Sequence, residues 1–126
     1  MKLLKEKGIR RILATNPLFP RIATESRTRW AGLETTDFEI ITTYETSHYC
    51  KPNGKYFEEI LALAGLTPTE CIMVGNDVEE DMLPCSKLGM EVFLLSDCLI
   101  NKPNIDIDSF PHGSFDELEK FLNEKL

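Results

Sequence analysis

Four short apolar runs, separated by segments with helical spacing, set the tightest limit on what this chain can fold into. Arg10–Ala14 follows Gly8 and reads as a strand from about Ile9. Phe38–Thr42 reads as a second strand, Cys71–Val74 as a third ending at Gly75, and Glu91–Leu95 as a fourth. Strands that alternate with helices predict an α/β architecture, with a parallel sheet covered on both faces. In such sheets ligands bind beyond the carboxyl ends of the strands. The residues directly after each run therefore carry the most functional information.

The intervening helices have legible ends. Arg21–Ala31 follows Pro20 and predicts a helix with Ile22, Ala23 and Trp30 facing inward. Gly54–Ala64 places Tyr56, Phe57, Ile60, Leu61 and Ala64 at helical spacing and stops at Gly65. Thr67-Pro68-Thr69-Glu70 predicts a turn. Glu79–Leu88 predicts a helix closed by Gly89, provided that Pro84 lies in its first turn, where a missing N–H breaks no bond. Ile100–Gly113 has little periodicity and predicts a long loop. Ser114 and Glu117 match a capping box, in which each side chain satisfies the other's backbone donor. The helix it opens would bury Phe115, Leu118, Phe121 and Leu122.

Composition narrows the class of partner. A length of 126 residues suits one domain, and 42% hydrophobic residues allow a real core. A formal charge of -7 argues against a nucleic-acid or anionic-membrane surface, since both require clustered Lys and Arg. No stretch approaches the ~20 apolar residues of a membrane helix, and Met1–Lys7 has no apolar run of signal-peptide length. Cys50, Cys71, Cys85 and Cys98 form no C-x-x-C pair, so four free thiols in a reducing, cytoplasmic setting are expected.

Each strand end offers polar groups with two readings. In Thr15-Asn16-Pro17 a hydroxyl and the following backbone N–H groups can hold a phosphate oxygen, or simply cap a turn. In Cys50-Lys51-Pro52 the lysine can neutralise an anionic centre, or be a surface residue beside a loop proline. His48 and Cys50 are two ligand types without further partners, which is too few for a zinc site. The richest stretch is Val74-Gly75-Asn76-Asp77-Val78-Glu79-Glu80-Asp81. Asp77 and Asp81 are four positions apart and share one face of a helical turn. Two like charges there suit a hard cation such as Mg²⁺, or else a helix N-terminus whose dipole favours acids. Asp106-Ile107-Asp108 spells D-x-D, but Lys102-Pro103-Asn104 precedes it in place of an apolar strand, so it reads as loop.

Taken in order, the threonine, the lysine and the acidic pair resemble the second, third and fourth motifs of the haloacid dehalogenase superfamily. Gly89-Met90 before an apolar strand and the closing Ser114-Phe115 helix fit as well, so the resemblance runs from about Gly8 to Phe121. It implies a three-layer Rossmann-like core and a Mg²⁺-dependent phosphomonoester hydrolase acting through an aspartyl-phosphate. Lys51 and Thr15 would be the catalytic groups, and Thr15, Asn16 and Lys51 would bind phosphate. Asp77 would be the principal metal ligand, Asp81 a partner behind it or through water, and Asn76 a weaker neighbour of the metal. The substrate would be a small phosphorylated metabolite.

The family's first motif is a strand ending D-x-D, whose first aspartate is the nucleophile. The fourteen residues before Thr15 contain no Asp. The sequence therefore reads as a single partial core domain over residues 1–126, entered inside the helix before the second motif, without a cap and without its own nucleophile. The family's sheet sets the first-motif strand between the strands ending at Thr15 and Gly75. Its absence predicts an incomplete sheet with unpaired edges, open to self-association.

Two other classes compete. A non-catalytic module could keep Mg²⁺ and phosphate affinity without chemistry. A receiver-type signalling domain uses similar residues but puts its acidic pair first and its lysine last, the reverse of the order here.

Overall fold

The computed structural model describes all 126 residues. It divides into two compact units, Met1–Cys50 and Lys51–Leu126.

The first unit runs α1 (Lys2–Glu6), β1 (Ile12–Leu13), α2 (Arg21–Trp30) and β2 (Ile40–Ile41). The two strands pair in parallel, Ile12 opposite Ile40 and Leu13 opposite Ile41. Both are shorter than the apolar runs that announce them, although the Arg11 carbonyl still accepts the Glu39 N–H just before the paired residues. Arg10 pairs with the Glu39 carboxylate, and the Arg11 guanidinium donates to the Asp37 and Ile9 carbonyls. The Asp37 carboxylate accepts the Lys5 ammonium and the Glu34 N–H, and these hold it below the usual carboxylate range. Its contribution to stability is present at neutral pH and is lost as pH falls through that lowered value.

α2 forms where its spacing predicts, but it turns a different face inward. Thr24 and Thr28 are buried, while Ile22 is 74% and Trp30 82% exposed. The threonines are tolerated there because the Thr28 hydroxyl donates to the Thr24 carbonyl, one turn back, and leaves no orphaned donor. On the outer side Arg21 and Glu25 pair at i,i+4, and Arg27 lies over the Phe19 ring.

The second unit contains α3 (Gly54–Ala64), β3 (Ile72–Gly75), a wide π-type turn (Val78–Met82), α4 (Leu83–Lys87), β4 (Glu91–Leu95), β5 (His112–Gly113) and α5 (Phe115–Lys125). Asn53 caps the start of α3 through the Lys55 N–H, and Gly65 closes it in the left-handed region at φ 68°. β3, β4 and β5 form a parallel sheet in that order. Val92, Phe93, Leu94 and Leu95 are all buried, the continuous pattern of a strand covered on both faces. Phe93 and Leu95 pack with Leu118, Phe121 and Leu122 of α5. Burying a side chain of this size stabilises by roughly 1.5–3 kcal/mol, so β4 anchors the unit.

Three expectations need correction here. Residues 100–113 are not one featureless loop: Ile100 bridges to Asp77, Ile107–Ser109 makes a tight turn, and β5 adds to β4. A two-residue strand has too little period to be read from sequence. The capping box at Ser114 is half formed, since its hydroxyl accepts the Glu117 N–H at 3.3 Å. The Asp97 carboxylate, not Glu117, takes a neighbouring donor, the Phe115 N–H. Phe115 itself is 62% exposed, so the buried stripe of α5 consists of Leu118, Phe121 and Leu122.

The strands therefore occupy two separate sheets, β1-β2 and β3-β4-β5. β1 pairs only with β2, and β3 has β4 as its only partner strand. No helix is long and apolar enough to cross a membrane.

Candidate functional site

The carboxyl end of β3 brings Asp77, Asp81 and Lys51 together. Gly75 ends the strand, Asn76 follows, and Asp77 caps the turn by accepting the Glu80 N–H on Oδ1 at 3.0 Å. The chain then winds through Val78–Met82, which brings Asp81 back over the strand end. Asp81 Oδ2 accepts the Asp77 N–H at 3.3 Å, and Asp81 Oδ1 accepts the Lys51 ammonium at 2.6 Å. Lys51 and the acidic pair, thirty positions apart at Asp81, thus meet in one network. Thr15 and Asn16 belong to the first unit, just past β1, where the Thr42 hydroxyl donates to the Thr15 carbonyl and Leu18 N–H donates to the Asn16 carbonyl.

The ion pair is buried, the Lys51 and Asp81 side chains being 8% and 6% exposed. An ammonium removed from water needs compensation beyond one carboxylate. The rings of Tyr56 and Phe57, on the first turn of α3, supply part of it, their centroids lying 5.9 and 6.0 Å from Lys51 Nζ. Those rings meet edge to face at 4.8 Å and are themselves buried. The spacing of Tyr56 and Phe57 marked them only as core residues. Nothing in the sequence tied them to the lysine five and six positions earlier.

Two further contacts of residues in this stretch escaped sequence reasoning. A Cβ on Gly75 would lie 2.4 Å from Asp81 Oδ2, so only glycine leaves room for the carboxylate. The Asn76 side-chain amide donates to the Cys98 carbonyl, while Ile100 exchanges backbone bonds with Asn76 and Val78. Residues 98–100 are thereby fastened beside Asp77.

Cys85 is fully buried next to the ion pair, and burial, with the Asp81 charge second, pushes its thiol up to about 12. The unfolded thiol ionises near 9.0. Below that pH the group contributes nothing to pH dependence. Above it the unfolded state loses the proton first, and stability falls by about 1.4 kcal/mol per pH unit until the buried thiol also ionises. We expect the urea midpoint of the wild type to fall more steeply between pH 9 and 11 than that of Cys85→Ala, after allowing for the constant offset between them; parallel curves would contradict the assignment. Under native conditions Cys50 and Cys98, both exposed, should react with a thiol reagent well before Cys85.

No three His, Cys, Asp or Glu side chains cluster as a metal cage. The donor set at β3 still suits Mg²⁺. Asp81 is committed to Lys51 and a backbone N–H, whereas Asp77 engages Oδ1 with the Glu80 N–H; Mg²⁺ characteristically takes one or two carboxylates with phosphate and water, and a carboxylate so placed fits that chemistry. The D-x-D at Asp106 and Asp108 forms an exposed turn in which Asp106 accepts the Asp108 N–H, as expected of loop.

Known proteins resemble this chain in the same terms. Residues 1–89 match the family model of haloacid dehalogenase-like hydrolases. A 59-residue stretch, 47% of this chain, is 36% identical to 26% of the length of the glyceraldehyde 3-phosphate phosphatase of Methanothermobacter thermautotrophicus. The fold superposes on a HAD phosphatase from Thermococcus onnurineus with a TM-score of 0.74 at 20% identity, covering 96% of this chain and 54% of that one. It superposes on a predicted phosphoglycolate phosphatase from Haemophilus somnus with a TM-score of 0.75 at 20% identity, covering 96% and 53%. The chain thus spans about half the length of those two structures. With its parallel α/β sheets, the order of its polar strand ends and a family match over most of its length, the chain belongs to the haloacid dehalogenase-like hydrolase family.

Proposed function

We propose that this chain carries the charged pocket of a Mg²⁺-dependent phosphomonoester hydrolase that works through an aspartyl-phosphate. The observation that supports it most is the Lys51–Asp81–Asp77 network at the carboxyl end of β3. Lys51 neutralises the charge on the phosphoryl oxygens, and Asp81 orients it. The Thr15 hydroxyl and the Asn16 backbone N–H bind phosphoryl oxygens. Asp77 holds the metal, with Asn76 its neighbour. Bound Mg²⁺ supplies Lewis-acid neutralisation of the phosphoryl group. The reaction also needs a carboxylate that attacks phosphorus and expels the alcohol, after which water releases phosphate. We assign that role to none of the aspartates named above, since Asp106 and Asp108 lie in an exposed turn and Asp77 and Asp81 are engaged at the end of β3. The substrate class is a small phosphorylated metabolite, in keeping with the name of the curated relative. The sides of β1 and β3 that carry no partner strand support self-association.

Calorimetric titration with inorganic phosphate, with and without Mg²⁺, tests the reading. Phosphate should bind more tightly in the presence of Mg²⁺, and Asp77→Ala should abolish that Mg²⁺ dependence. If neither ion binds, or if Asp77→Ala leaves the dependence intact, the proposed pocket is wrong. The chain should not turn over p-nitrophenyl phosphate. Turnover that Asp77→Ala abolishes would mean that an aspartate elsewhere, Asp106 or one from a partner, completes the site.

A further inference from the structure

We propose that Asn76 is a positioning residue, which holds the Cys98–Ile100 segment as a clamp on the backbone of Asp77. The inference deepens the proposed function and rests on it, since Asp77 is there the metal ligand. Residues 96–100 are exposed throughout, so burial does not fix them. Hydrogen bonds do. The Asn76 side-chain N–H donates to the Cys98 carbonyl at 2.8 Å. Two residues on, the Ile100 N–H donates to the Asn76 carbonyl at 2.8 Å, and the Ile100 carbonyl accepts the Val78 N–H at 2.9 Å. Those are the peptide groups on either side of Asp77, so a single residue grips both.

The ends of the segment are tied elsewhere. Ser96 N–H donates to the Gly113 carbonyl and the Asp97 carboxylate takes the Phe115 N–H, while Asn101 closes a turn with Ile105. Between them, the bond from Asn76 fastens the chain directly to the end of β3. Asp77 lies there at φ -111° and ψ 117°, an extended conformation that continues the strand direction and accepts Ile100 as a parallel partner. With its flanking peptides gripped and Oδ1 held by the Glu80 N–H, the Asp77 carboxylate keeps one direction. Groups that orient a ligand without touching the metal raise its affinity for that metal.

Asn76→Asp separates this role from direct contact with the cation, because the two predict opposite signs. A side chain that touched Mg²⁺ through Oδ1 would bind it better as a carboxylate. In the positioning role the new oxygen faces the Cys98 carbonyl, acceptor against acceptor, and the clamp opens. Titration with Mg²⁺ at fixed inorganic phosphate, followed by the Asp77 amide resonance, should show Asn76→Asp binding Mg²⁺ about threefold or more weakly than wild type. Amide exchange at Val78 and Ile100 should quicken by about fivefold or more, the equivalent of roughly one hydrogen bond, while Phe93 and Leu94 stay protected. Equal or tighter Mg²⁺ binding overturns the proposal, and so does unchanged exchange at Ile100. A wild type that binds no Mg²⁺ overturns the proposed function and this inference with it; one that binds Mg²⁺ leaves the proposed function standing whatever Asn76→Asp does. Should Asn76→Asp not fold, the across-hydrogen-bond coupling from the wild-type Asn76 side-chain amide to the Cys98 carbonyl decides. It should persist at saturating Mg²⁺, and its loss there refutes the positioning role.

Discussion

Replacing Lys51 with methionine should destabilise the second unit by about 3–5 kcal/mol, a loss out of proportion to the few atoms removed. Methionine keeps most of the aliphatic stem that lies by Tyr56 and Phe57, so little packing is lost. What is lost is the partner of the Asp81 carboxylate, which is only 6% exposed and keeps a single long bond to the Asp77 N–H. An unpaired buried charge is the costly outcome, and the attraction within the intact pair is not a measure of it. The double variant Lys51→Met/Asp81→Leu removes both charges and should recover most of the loss, to within about 1–2 kcal/mol of wild type. The readout must belong to the second unit. Trp30, the only tryptophan, is exposed on α2 of the first unit, so its fluorescence is a poor reporter. Amide exchange at Phe93 and Leu94, in the buried strand, is a direct one. If Lys51→Met costs under about 1 kcal/mol there, Asp81 finds solvent or another donor, and the pair does not organise the site.

Much of this site was legible because its chemistry sits where the topology must put it. The apolar runs give strand ends, the end of β3 gives Gly75 and the residues that follow, and Asp77 and Asp81 stand out by charge and spacing. Lys51 was visible only through the order of motifs. What sequence could not show is set by exclusion and backbone shape. Ile22 and Trp30 look like core residues by hydrophobicity, yet the helix buries Thr24 and Thr28, the Thr28 hydroxyl being satisfied by the Thr24 carbonyl one turn back. Asp81 was expected to stand behind the metal ligand or act through water; in the structure its bonds are to Lys51 and the Asp77 N–H. A helical wheel at 3.6 residues per turn cannot reveal the wide turn over Val78–Met82, after which α4 begins at Leu83 with Pro84 in its first turn.

The second large effect is expected at Gly75, where one methyl group should cost nearly as much as a lost carboxylate. The glycine does not occupy the left-handed region, which the chain enters at Gly8, Gly32, Gly65, Gly89, Asn104 and Gly113, so conformational freedom is not its reason. Space is the reason. A Cβ would stand 2.4 Å from Asp81 Oδ2 and 2.7 Å from both Asp81 Cβ and Cγ. The obstacle is the whole near end of a side chain held at both oxygens, so rotating its tip gives no relief. Gly75→Ala must push Asp81 off the Asp77 N–H and away from Lys51, and we expect a loss of about 2–4 kcal/mol, close to that of Asp81→Ala. Steric and electrostatic explanations separate in the Asp81→Gly background, where the obstacle is gone. With Asp81→Gly already in place both the carboxylate and the Cβ that block the new methyl are absent, and Gly75→Ala should then cost under about 1 kcal/mol. Losses that add in full would mean that Gly75 is needed for β3 itself, where an alanine is ordinarily tolerated, and that the carboxylate does not depend on the space the glycine leaves.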